Sequence, residues 1–396
     1  MSTVLTQTGA LLVDAYRELN AKKLFWITMI LSGLVVAVFG MFGINEKGLT
    51  FLWWEFPLPL FNANIVPRGV FYKFVFANIG VPIWLTWVAT VLALISTASI
   101  IPDFIAGGAI ELTLSKPIGR LRLFLTKFFT GLLFVALQVT VFTAACFMVI
   151  GIRGGNWPWG IWLAVPIVLL FFSYLFSFCT LMGLVTRSTI AALLITLLGW
   201  FICWGINVAD VIFLQQREWA IHRVEQGQKT VAKREVAARK IIDKAKADGT
   251  EADLKEVPGD QDRLEMVNPL LKMARAQVRE SEASVKTWKK WSSIAYGVKT
   301  FLPKTGETIA LLDRHLLSEE DLKKFRPNDG NDGDDSADDE GTSTPKRRRG
   351  GPDSVVQDRM QAALRQRTVS WIIGTSIGFE VVILGIACIV FVKRDF

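Results

Sequence analysis

Histidine and cysteine are scarce in this chain. Its 396 residues include two histidines, His222 and His315, and four cysteines. Cys146, Cys179, Cys203 and Cys388 all fall within long apolar stretches, and no CxxC spacing occurs. Such a set offers neither a zinc site nor a disulfide framework. The thiols read as small apolar core residues. The GxxxxGK[ST] and HExxH patterns are also missing. Without the first, the chain cannot cradle a nucleotide phosphate in the P-loop manner. No catalytic constellation emerges, and an enzyme is not expected. No cofactor is expected in this chain, and any ATP it uses must be bound by another. A cleavable signal peptide is not expected either. Charged and polar residues precede Leu24, and the run that follows is too long for an h-region.

What the chain does have is long apolar runs. Leu24–Gly43, Gly80–Ile101, Phe128–Ile150, Trp159–Val185, Thr189–Leu214 and Ser370–Val392 could each cross a bilayer. A crossing helix needs about 20 mostly apolar residues. Lipid offers no hydrogen-bond partners, so each run must satisfy its own backbone as a helix. The expected fold class is therefore all-α, a polytopic membrane protein with six transmembrane helices. At 51% hydrophobic residues there is still room for a sizeable water-facing region. The net charge of +8 is spread over loop edges and a mixed-charge insert, which excludes a compact nucleic-acid-binding face.

Charge and aromatics orient the spans. With the N-terminus in the cytoplasm, the inside carries Arg17, Lys22, Lys23, Lys116, Arg120, Arg122, Lys127, Arg187, Lys393 and Arg394. The short outer loops carry only Lys47, Arg68, Lys73 and Arg153. This asymmetry matches the positive-inside rule and puts both termini in the cytoplasm, with the chain in the cytoplasmic (inner) membrane. Trp53, Trp54, Trp84, Trp87, Trp157, Trp159, Trp162, Trp204 and Trp371 cluster near the outer span ends as an aromatic belt.

The remaining segments divide as follows. Residues 1–23 read as an N-terminal amphipathic interfacial helix, with Leu5, Leu11, Leu12, Tyr16 and Leu19 on one arc. Residues 24–214 hold spans one to five, with a short helix over 102–117 that begins at Pro102 and Asp103 and stops at Pro117. The aromatic, proline-rich loop 44–79 reads as an outer segment that dips into the interface or lies over the bundle. Residues 215–326 form a charged, helical extracytoplasmic insert. Within it, 216–247 and 261–292 are expected to pair as a hairpin, followed by an aromatic patch from Trp288 to Leu302. Residues 327–353 read as a disordered linker, and 354–396 hold the last span and cytoplasmic C-terminus.

Asp103, Gly108, Glu111, Pro117, Arg120 and Lys127 follow an order of an acidic residue, a Gly before a short apolar-acidic run, a Pro-x-x-Arg and a later Lys. On these residues the stretch resembles the coupling-helix region of type-2 ABC transporter permeases, the membrane subunits of ABC exporters. Ala106 and Gly107 stand where the family usually has an acidic residue. The ending FVKRDF is similar to the family's ending after its last span, and the chain looks closest to permeases associated with multicopper-enzyme maturation. The resemblance implies an ABC ATPase partner that binds ATP, and a second permease subunit in a homo- or heterodimer. It also implies coupling through Asp103, Phe104, Gly108, Glu111, Pro117 and Arg120. Phe104, Ile105, Ile110, Leu112 and Leu114 would offer apolar surface to an ATPase groove. The alternative is a non-transporting scaffold whose insert binds an envelope partner.

Two acidic residues fall within spans. Glu380 near the centre of the sixth is a candidate for a translocation or proton path, or a dimer seam; the other reading is a glutamate tying two helices. Asp210, with Asn207, lies near the outer end of the fifth and reads as structural. Gln138 and Pro166 read as helix glue and a kink.

Overall fold

The computed structural model describes residues 23–57, 63, 66–106, 119–247, 259–316 and 352–394. The expected interfacial helix over 1–23 and linker over 327–353 lie outside these residues, save Lys23, which opens the first helix, and 352–353, which open a later one. Of the described residues 88% are helical, and six helices among them are long and apolar enough to cross a membrane.

The first span, α1 (Lys23–Met41), runs straight into a small antiparallel sheet. Its strands are β1 (Phe42–Asn45), β2 (Gly48–Phe51) and β3 (Trp54–Pro57), in the order β1-β2-β3, with Phe42 facing Phe51 and Phe51 facing Trp54. The Leu52 amide donates to the Met41 carbonyl at 3.0 Å, and the Tyr72 hydroxyl to the Phe42 carbonyl at 2.7 Å, so the sheet sits at the end of α1. The sheet stands where an outer loop was expected from residue 44, within a fold that is otherwise all-α. The β-branched and aromatic residues there pair as strands because turns such as Glu46–Lys47 bring short runs together, which the hydropathy of the segment does not reveal.

The second span is composite. α2 (Arg68–Val75) leads into a π-helical segment (Phe76–Ala89), then α3 (Thr90–Thr97) and α4 (Ile100–Ala106). It therefore starts at Arg68, well before the expected Gly80. The hydroxyls of Thr86 and Thr90 donate to the carbonyls of Val81 and Leu85, five residues back, as π winding places them. The third span is α5 (Arg120–Gly154). A 3₁₀ turn (Trp159–Leu163) opens the fourth, α6 (Ala164–Thr186). The fifth, α7 (Thr189–Ala247), is a 59-residue helix, roughly 90 Å long at 1.5 Å per residue. The expected hairpin helix over 216–247 is thus the continuation of span five: no proline interrupts the stretch, and Ala, Lys, Glu and Arg sustain it. Then come α8 (Asp260–Val267), α9 (Pro269–Phe301), α10 (Thr305–Leu316), α11 (Pro352–Arg365) and the sixth span, α12 (Val369–Lys393).

Two compact units result: one within residues 1–205, 300–336 and 369–396, the other within 206–299 and 337–368. In the first, α6 is central, with 56% of its most apolar window buried, against 22% in α1 and 17% in α12. Phe171, Phe172 and Phe176 on α6 are fully buried. Phe176 stacks on Phe128 of α5 at 5.2 Å. Gly131 makes that approach possible: a Cβ there would lie 2.6 Å from the Phe176 ring. In the second unit, α7 meets α8 and α9 around a small apolar core of Ala238, Leu264 and Leu271.

Candidate functional site

The segment expected to couple begins in α4. Asp103 is exposed, its amide bonded to the Ser99 carbonyl at 2.8 Å. Phe104 is not exposed. It is 7% accessible, belongs to the bundle core, and has the Lys127 ammonium 5.4 Å from its ring centroid. Its place as docking surface is therefore corrected: the ring faces inward because α4 packs against α5 and α6, with Pro102 beside Gly183. Gly108, Glu111 and Pro117 lie outside the described residues.

Arg120 opens α5 and reaches across to the end of α12. One guanidinium nitrogen donates to the carbonyls of Val392 at 3.2 Å and Arg394 at 3.1 Å. The last carbonyls of a helix have no partner within it, and an arginine is a natural cap for them. Arg394 in turn donates to the Leu184 carbonyl near the end of α6. Phe391 lies against Phe124, centroids 5.3 Å apart. Two arginines thus fasten the ends of α5, α6 and α12 at this face of the bundle. The C-terminal residues noted in the sequence form part of that fastening.

Glu380 lies on the face of α12 that turns inward with Ser376 and Ala387, and its Oε2 accepts from Ser173 of α6 at 3.0 Å. The open glycines Gly374, Gly378 and Gly385 lie on the opposite side of α12. Glu380 therefore ties two helices of the same chain. Around it runs a polar seam that sequence reading missed. α10 is its third member, packed against α6, α12 and the π-helical segment. Lys304, 1% exposed, donates its amide to Ser376 Oγ at 3.0 Å and its ammonium to Thr375, and lies 4.4 Å over the Trp371 ring. Ser376 is seven residues into α12, so the start of α10 lies about 10 Å below that end. α10 then climbs to Leu316, beside Gly160. Thr308 is fully buried, and the Tyr174 hydroxyl is buried beside Thr308, Ser376 and Glu380. Further along α10, burial pushes the Asp313 carboxyl up to about 6. A helical signal was available in the buried Ile309, Leu312 and Leu316 at three- and four-residue spacing.

The second unit contains a separate charged site. Asp210 Oδ2 takes Lys299 Nζ at 2.9 Å and an Arg367 guanidinium nitrogen at 2.8 Å, with the three side chains 2%, 5% and 10% exposed. Lys299 also bonds Asn207, and Arg367 lies 5.5 Å from the Tyr296 ring centroid. Asp210 thus joins α7, α9 and the approach to α12.

No protein-family model, no curated protein and no solved structure matches this chain. Six helices among the described residues, long and apolar enough to cross a membrane, define its class as a helical membrane-spanning protein.

Proposed function

We propose that this chain is the membrane subunit of an ATP-driven transporter of the ABC exporter type, moving a substrate across the cytoplasmic membrane with a separate ATPase. In this reading both termini are cytoplasmic, the insert is extracytoplasmic, and a second permease subunit completes the path. The observation that carries it is the fastening of Arg120. A push on the 102–120 segment meets a residue bonded to the end of α12, which is itself bonded to α6. Three spans would therefore receive the push together. Asp103 stays exposed to set register with a partner, while buried Phe104 anchors the segment from inside.

Co-purification tests the partner: the complex should bring down a Walker-containing ATPase, and a complex that works without any hydrolase overturns the proposal. Glu111→Arg and Gly108→Trp should leave insertion intact while uncoupling ATP hydrolysis from transport. Labelling of Asp335→Cys by an impermeant reagent in intact cells tests sidedness. A second reading, a scaffold with no transport, draws on the charged second unit with its long helices. Recovery of an envelope partner through the insert, and of no ATPase, would favour it.

A further inference from the structure

A cavity with room for about one water molecule lies midway along the bundle, at the end of the π-helical segment. Thr28 and Ser32 line it from α1, Leu85 and Thr90 from the second span, and Val135 and Gln138 from α5. Gln138 is 6% exposed, and its Nε2 has no hydrogen-bond partner among the described residues. A buried amide donor in that state needs an acceptor. The neighbouring hydroxyls are committed as donors: Thr28 to the Leu24 carbonyl at 2.8 Å and Thr90 to the Leu85 carbonyl at 2.8 Å. Their oxygens retain acceptor capacity towards the cavity.

We propose that this cavity is a water-binding site within the membrane bundle. The bound water accepts a hydrogen bond from the Gln138 amide and donates to the hydroxyl oxygens of Thr28 and Thr90. Water fits for two reasons. The space admits one small molecule, and only a ligand that both donates and accepts matches this mixed set. It satisfies the glutamine in either orientation of the amide. An apolar occupant would leave the donor unmet. The site links spans one, two and three through an exchangeable molecule, beside a stretch whose π winding departs from the α-helices around it. Polar contact between those spans is thus kept midway along the bundle through the water. The inference is independent of the transport reading.

Pulsed hydroxyl-radical footprinting of the full chain in proteoliposomes tests it, because radicals form where water is bound. Leu85 and Val135 line the cavity, whereas Leu94 and Val81 are as deeply buried but do not. Leu85 should be modified severalfold faster than Leu94, and Val135 severalfold faster than Val81. Gln138→Leu, which removes the donor and fills the space, should erase both differences. Thr90→Val is the second variant, expected to reduce them and usable if the first fails to assemble. Equal rates within each matched pair, or differences that persist in both variants, overturn the proposal.

Discussion

The two units solve the same problem, holding polar groups among helices, by different means. In the bundle, hydroxyls fold back onto their own helices. Thr97 bonds Ala93, Thr130 bonds Thr126, Thr140 bonds Ala136 and Thr196 bonds Ala192, each through the carbonyl four residues earlier. Such bonds satisfy a polar group without asking anything of a neighbouring helix. Contact between helices is left to rings, methyls and a few seams such as Glu380–Ser173. In the second unit the helices are joined by charge. Arg275 takes Glu235 at 2.6 Å and Glu265 at 2.9 Å, Arg359 takes Glu225, and Asp210 takes Lys299 and Arg367. Its apolar core of Ala238, Leu264 and Leu271 is small, so those pairs must specify which helix meets which. The comparison teaches that a similar helical backbone is specified by shape in one unit and by ion pairing in the other.

Breaking the most buried pair should have the largest effect. Asp210→Ala leaves Lys299 and Arg367 as buried like charges, at a cost of about 3–5 kcal/mol. A large fall in the melting temperature of the purified protein checks this. Replacing all three residues with leucine should restore much of the loss, since the penalty comes from two buried positive charges that have lost their shared counter-charge. The matching break in the bundle is Gly131→Val. Its side chain meets the Phe176 ring, and overpacking of this kind costs about 1–3 kcal/mol. That loss should be insensitive to salt, unlike losses at the exposed pairs of the charged unit.

A smaller effect concerns α10. Burial raises the Asp313 carboxyl from 3.8 to about 6, so the folded state holds this proton more firmly than the unfolded chain. Stability contributed by α10 is then full below the unfolded value and falls as pH rises towards and through about 6. Protease cleavage or cysteine labelling within α10 should increase over that window, and Asp313→Asn should flatten the response. The smallest effect belongs to Arg359→Ala. This pair is 38% and 41% exposed, and exposed pairs contribute about 0–1 kcal/mol. Added salt should erase what difference there is. A loss as large as that of Asp210→Ala would break the distinction between buried and exposed pairs.

The legibility of this chain varied with distance along it. The six spans were legible because hydrophobic length is written in consecutive residues, and Trp159 and Thr189 start their spans where expected. Span two was misjudged at its start because Arg68 and Lys73 lower the local hydropathy, although the helix already runs there. Phe104 was assigned outward because an apolar residue in a short helix fits either side, and only the packing of α4 against α5 and α6 decides between them. Of the candidate site, Arg120 and Glu380 were chosen for their types and positions, but their partners, Val392, Arg394 and Ser173, were not visible.

By itself the sequence determined that the chain is helical and crosses a membrane, since lipid leaves a long apolar run no other way to satisfy its backbone. Tertiary structure alone decided that α10 enters the bundle beside Ser376 and Tyr174, that residues 42–57 form a sheet, and that Lys299 meets Asp210 across 89 positions of chain. Hydropathy and helical period are local properties. Which distant groups share one buried space depends on how the elements pack, and that is fixed only when the whole chain has folded.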